Sequence, residues 1–274
     1  MKKGLIKGIV IGLAVVLLWF ANGMLGNPVS ALLARKTAEA YLAENFADTD
    51  CYIDGLAYSF KDGSYYAHIA SVSSMDTRFT LYITMTGKLR YDTYDSVTSG
   101  FVTANRLNME YGELADTVFE DAAYPYGAYD SFAFGTLEIY PPEGMADPNV
   151  TDIPFYAMDQ GTLILDHVYD VRALGRQAGH LVVYVDSDMV SAERAAEIML
   201  DVKNRFDAAE IPFAAMTLVL GYPRTDDGAW SDEEVRVEHF VYGDIYEDGL
   251  TERVKAADAK LKAYYAEMDA MYKK

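Results

Sequence analysis

Residues 52–92, YIDGLAYSFKDGSYYAHIASVSSMDTRFTLYITMTGKLRYD, decide the fold of the first half of the chain. Leu56, Tyr58 and Phe60 alternate with Ala57 and Ser59, the period of two that sends successive side chains to opposite faces of a sheet. Lys61-Asp62-Gly63-Ser64 reads as a hairpin turn, and Tyr65 to Ala70 as the returning strand. Phe79, Leu81, Ile83 and Met85 form a third alternating face, and Thr86-Gly87-Lys88 turns the chain into Leu89 and Tyr91. The expectation is a four-stranded antiparallel meander.

Helical periods flank it. Asn27-Pro28 has the form of an N-cap followed by proline at the first helical position. Val29, Leu32, Leu33, Tyr41, Leu42 and Phe46 then recur at helical spacing. After the meander, Leu107, Tyr111, Leu114 and Val118 mark a second helix. Residues 121–161 are irregular apart from a strand at 132–140. Beyond them Asp170 caps a short helix, and His180 to Val185 is an apolar run of the kind a buried strand shows. Ser191 caps another helix, two strands follow at 213–220 and 235–241, and a helix over 250–272 comes last. The pattern predicts an α+β chain with an N-terminal transmembrane helix and two small α+β domains, the first ordered helix, antiparallel meander, helix. The expected boundaries are 1–26 for flank and anchor, 27–124 for the first domain and 125–274 for the second.

The transmembrane expectation rests on Gly8 to Leu25, which carries no charge. Eighteen residues at about 1.5 Å each reach roughly 27 Å. Lys2, Lys3 and Lys7 precede the stretch and by the positive-inside tendency hold the N-terminus in the cytoplasm. A cleaved signal peptide is the competing reading, with small residues around Ala21-Asn22-Gly23. Either way the folded part is expected outside the cytoplasm, in a single-pass protein of the cell membrane that touches the bilayer through residues 8–25.

Hydrophobic residues make up 51% of the chain, enough for packed cores, and the net charge of −19 excludes nucleic acid as a natural partner. Cys51 is the only cysteine, so no disulfide forms within the chain. The four histidines are scattered, with no His-x-x-x-His or Cys-x-x-Cys spacing. His239 alternates with Val235, Val237 and Val241, which places it on an apolar face. No Gly-x-Ser-x-Gly or Ser-x-x-Lys occurs. Linear spacing thus gives no catalytic residue, no metal ligand set and no cofactor site. The groups suited to contact a protein or peptide ligand are Tyr58, Tyr65, Tyr66 and His68 of the meander, Ser74 and Asp76 of its central loop, and Trp230, a tryptophan set among acidic residues.

Gly26-Asn27-Pro28-Val29-Ser30, Ala38-Glu39-Ala40-Tyr41-Leu42, the run Phe60 to His68, Ser74-Met75-Asp76-Thr77 and the run Gly87 to Asp92 together resemble the YfjL-like family of membrane-anchored proteins from Gram-positive bacteria. Leu174-Gly175 and Ala178 to Val185 are similar to the family's second half. The resemblance implies an anchor and an exported α+β body, with no activity to carry over. The helix-then-meander order is also similar to PepSY-like and cystatin-like modules, an analogy of topology alone. The functional expectation is a membrane-anchored extracytoplasmic binding or interaction module without catalytic activity; the alternative is a hydrolase whose acid and base converge only in the fold.

Overall fold

Asn27 caps α2 (Pro28–Asn45), its Oδ1 accepting the Ser30 N–H at 2.8 Å, so one of the orphan donors at the helix start is satisfied. The computed structural model describes residues 2–143, 153–225, 228, 229, 231 and 233–272. The chain divides into two compact units, one of Met1–Thr103 with Ile164–His167 and the other of Ala104–Leu163 with Val168–Lys274. Each holds helices and an antiparallel or mixed sheet.

In the first unit, β1 (Cys51–Ser59), β2 (Ser64–Ser71), β3 (Arg78–Thr84) and β4 (Leu89–Asp92) form an antiparallel sheet in sequence order. Gly87 supplies the positive φ of 81° that the β3–β4 turn requires. Tyr65, Ala67, Ile69, Phe79, Leu81 and Ile83 fill the inner face. The face that α2 buries is Ser30, Ala34 and Ala38, whereas Val29, Leu32 and Leu33, read as its apolar stripe, are exposed. Small side chains let the helix backbone approach a sheet that already carries bulky residues, and close packing selects that face.

Tyr41 joins α2 to β4, donating its hydroxyl to Asp92 Oδ2 at 2.8 Å. Burial first, then the Asp92 hydrogen bond and charge, push its pKa from 10.0 up to about 12. Because the folded value is the higher one, the stabilisation is complete below pH 10 and lost as pH rises from 10 to about 12. Melting temperatures of Tyr41→Phe and the parent chain, followed to alkaline pH, should differ near neutrality and converge across that window. A constant difference would remove Tyr41 from the alkaline transition.

The N-terminal expectation is corrected. Helix α1 covers Lys2–Leu25, yet among the described residues no helix is long and apolar enough to cross a membrane. The charge-free part begins only at Gly8, and its last turn is engaged elsewhere: Tyr58 donates to the Gly23 carbonyl at 2.9 Å, and Asn27 Nδ2 to Asn22 Oδ1 at 2.6 Å. What remains, residues 8–21, reaches roughly 21 Å at about 1.5 Å per residue, short of a hydrocarbon core of about 30 Å. The transmembrane helix in the fold class, the single-pass description and the cell-membrane location with an extracytoplasmic body fall together.

In the second unit, a sheet of order β10-β9-β8-β5 combines β5 (Phe132–Leu137), β8 (Gly179–Asp186), β9 (Ala215–Gly221) and β10 (Glu234–Val241). β8 and β9 run parallel and the other pairs antiparallel. The crossover between the parallel strands is α6 (Ala192–Ala208), capped by Ser191, as a parallel pair demands. Two earlier helices precede this unit's strands: α3 (Asp95–Thr98), which belongs to the first unit, and α4 (Phe101–Phe119), within which the two units divide. α5 (Val171–Ala178) carries an Asp170 cap, and α7 is Leu250–Tyr272. A short parallel pair, β6 (Ile139–Tyr140) with β7 (Met158–Asp159), brings the 153–163 segment back beside β5.

One core face of that sheet is set by Leu181, Val183, Met216, Leu218 and Val237. Tyr111 of α4 lies wholly inside it, its hydroxyl donating to the Pro212 carbonyl at 3.0 Å. Three glycines wall the ring. A Cβ on Gly135 would meet the ring at 3.1 Å, one on Gly175 at 2.5 Å, and one on Gly179 the phenol oxygen at 2.5 Å. A tyrosine fits here because three side chains are missing around it.

Candidate functional site

The second face of the same sheet carries the chemistry. β5 ends at Leu137 and β6 begins at Ile139, leaving Glu138 at the break, where its N–H donates to the Ala178 carbonyl at 2.9 Å. His180 is the second residue of β8 and alternates away from the core residues Leu181 and Val183. His239 departs from the expected pattern. The register of β10 on β9 shifts between Val237 and Phe240, so Glu238 and His239 together face the single step at Thr217, which is a β-bulge. His239 sits there at φ 49°, Phe240 takes the buried position, and the imidazole moves to the face that holds His180 and Thr217.

Glu138, His180 and His239 each present a ligand-type atom, and these atoms lie within 4.8 Å of one another. The Glu138 side chain is 11% exposed and that of His180 7%. Glu138 Oε1 is hydrogen-bonded to His180 Nδ1, and Tyr140 donates to the other carboxylate oxygen at 2.8 Å. His180 Nε2 is 2.8 Å from Thr217 Oγ1, which also accepts the His239 N–H at 3.2 Å. His239 Nδ1 is 2.7 Å from the Tyr156 hydroxyl, and the two imidazole centroids are 4.6 Å apart.

Burial raises the Glu138 pKa, but hydrogen bonds from His180 and Tyr140 outweigh it and the net shift is downward, so the carboxylate is held ionised. Burial drives the Tyr156 phenol upward, helped by the Glu138 charge. The phenol therefore stays protonated beside His239.

His239 and Tyr156 also form part of the wall of a cavity of about 820 Å³, with Glu238, Leu261, Tyr264 and Tyr265 around it. A larger cavity, about 920 Å³, shares Phe155 and Tyr156 but is lined by none of the three clustered residues. Chemistry therefore favours the smaller one.

The groups read from the sequence lie elsewhere. Tyr65 is buried, donating to the Asn27 carbonyl at 3.0 Å, and with Tyr58 it fastens the junction of α1 and α2. Tyr66 and His68 are on the outer face of the meander, Tyr66 bonded to Asp62 at 3.1 Å and His68 to Thr80 at 3.1 Å. Ser74 and Asp76 meet at Asp166: Ser74 Oγ donates to its carboxylate at 2.8 Å, and Asp76 is fully buried. Trp230 is outside the described residues. Glu138 and His180 had a local signal, a glutamate and a histidine in otherwise apolar strands, but their convergence with His239 depends on strand order and a bulge that no linear spacing reveals.

No curated protein and no solved structure gives a significant match to the chain. Two family profiles do match, the YfjL-like N-terminal domain over residues 1–93 and the YfjL-like C-terminal domain over residues 110–255. The second profile alone takes in the three clustered residues and more than half of the sequence, and the chain belongs to the YfjL-like family.

Proposed function

We propose that the chain is a ligand-binding protein, and that its ligand is a small organic molecule with a flat ring held in the cavity between β10 and α7. The observation that carries this is an imidazole–phenol pair, the half-buried His239 and the buried Tyr156, at the wall of a cavity that Phe155, Tyr264 and Tyr265 also line. Its volume of about 820 Å³ falls within the roughly 300–1,000 Å³ of small-molecule sites, which pair apolar walls with a few fixed polar groups. Phe155 is 84% exposed and Tyr264 and Tyr265 are each 45% exposed, an arrangement suited to stacking on a ring.

Ligand-observed NMR of the full chain against aromatic acids, phenols and pyranosides tests it. At least one class should bind, and Phe155→Ala with Tyr264→Ala should weaken it about tenfold. Both are exposed, so their effect on folding should stay within about 0.5 kcal/mol. If no class binds the parent chain, the cavity is not a ligand site.

The hydrolase reading is favoured by one observation, the order carboxylate, imidazole, hydroxyl in Glu138, His180 and Thr217. Thr217 is 6% exposed and accepts the His239 N–H, which argues against attack on a substrate. A hydroxyl-directed fluorophosphonate should leave Thr217 unlabelled; labelling there would overturn the non-catalytic reading.

A further inference from the structure

We propose that Glu138, His180 and His239 hold a divalent transition metal of the zinc class. The site rests on the same His239 as the cavity reading and deepens it, placing an ion at the polar end of the ligand site. Two imidazoles and one carboxylate are an established donor set for such ions. Three separate segments, the β5–β6 break, the start of β8 and the β10 bulge, deliver these donors to one point.

The surroundings match what a metal centre needs. A ligating imidazole uses one nitrogen for the ion, and its other nitrogen is held by a partner that fixes the ring. Here Thr217 holds His180 Nε2 and Tyr156 holds His239 Nδ1. Tyr140 does the same for the second oxygen of Glu138. A hydroxyl thus stands behind each of the three ligands. With Nδ1 of His180 on the ion, the neutral imidazole carries its one proton on Nε2 and donates it to Thr217, so binding changes the tautomer of the ring rather than its charge.

A satisfied structural histidine needs only its own hydrogen bonds, and nothing in that role gathers a second imidazole and a carboxylate. Hard cations fit poorly, because Mg²⁺ and Ca²⁺ want about six or more oxygen ligands and this cluster offers one carboxylate. A tetrahedral ion holds nitrogen and oxygen ligands about 3.3 Å apart. The three donor atoms already lie within 4.8 Å of one another, and an ion would replace the direct Glu138–His180 hydrogen bond while the half-buried His239 turns toward it.

The full chain, stripped with chelator and titrated calorimetrically with ZnCl₂, should take up one equivalent, and Co²⁺ should give visible d–d bands that Zn²⁺ abolishes. Mg²⁺ and Ca²⁺ should not compete. Glu138→Gln, His180→Asn and His239→Asn should each weaken Zn²⁺ at least about 100-fold, and Tyr156→Phe by about 10-fold, as outer partners do. His239→Asn is the decisive variant, since asparagine tolerates the positive φ of that position and circular dichroism can verify its fold. A folded parent chain that takes up no Zn²⁺ at micromolar concentration overturns the metal site, as does uptake unchanged by His239→Asn. Ring compounds are scored separately on chelated protein, so loss of metal binding with ring binding retained fells this proposal alone.

Discussion

Tyr111→Ala is expected to lower the stability of the second unit by about 3–5 kcal/mol, the range for truncating a large buried aromatic. Tyr111 is fully buried, and burial also pushes its phenol pKa upward. Its removal opens a hole walled by Gly135, Gly175 and Gly179, which have no side chains to fill it. Tyr111→Phe keeps the ring and loses one hydrogen bond to Pro212, for about 1 kcal/mol. Gly175→Ala tests the other side of the fit, since its Cβ would lie 2.5 Å from both the Pro212 carbonyl oxygen and the ring; overpacking of that kind costs about 1–3 kcal/mol. Urea midpoints at unchanged slope measure all three. If Tyr111→Ala loses less than about 1 kcal/mol, the core relaxes around the hole and the cage is not tight.

Asp76→Ala should be the costliest polar change in the first unit, about 3 kcal/mol. Asp76 is fully buried. Its Oδ2 accepts the Thr103 hydroxyl and the Asp166 N–H, each at 2.9 Å, while its own N–H donates to Asp166 Oδ1 at 3.0 Å. Alanine leaves Thr103 and the Asp166 amide without that acceptor, and each hydrogen bond to a charged group contributes about 1.5–3 kcal/mol. Asp166 is held at φ 60°, a conformation aspartate tolerates but does not prefer. Asp76→Asn keeps one acceptor oxygen and should lose about half as much. Hydrogen exchange at the Asp166 amide reports the same event locally, and protection that survives Asp76→Ala would assign the hold on this segment to Ser74.

The meander was legible because its signals are local. Alternation from Leu56 to Phe60 and the turns at Gly63 and Gly87 each act within a few residues, and β1 to β4 pair in sequence order. The α2 face was misread because hydropathy marks the large residues Val29, Leu32 and Leu33, while packing distance selected Ser30, Ala34 and Ala38. For α1, the charge-free run was visible, but the hydrogen bonds that engage Asn22 and Gly23 were not. His239 shows the limit most clearly. Strict alternation with Val235 and Val237 places it on the core face, and one extra residue in β10 reverses the side of everything after it. The site's three members come from segments whose adjacency is set by the order β10-β9-β8-β5, a property of the whole sheet.

The four residues Ile164–His167 belong to the first unit although the chain on both sides of them belongs to the second. A growing polypeptide therefore cannot complete the first unit when Thr103 emerges. Roughly sixty more residues must be added before Asp166 reaches Asp76, a delay of about 3–12 s at usual synthesis rates. Until then Asp76 and Ser74 lack their partner, and the early strand of the second unit is already outside the ribosome. The two halves are thus interleaved in time of synthesis, and a fragment ending at Thr103 corresponds to a stage that the nascent protein only passes through.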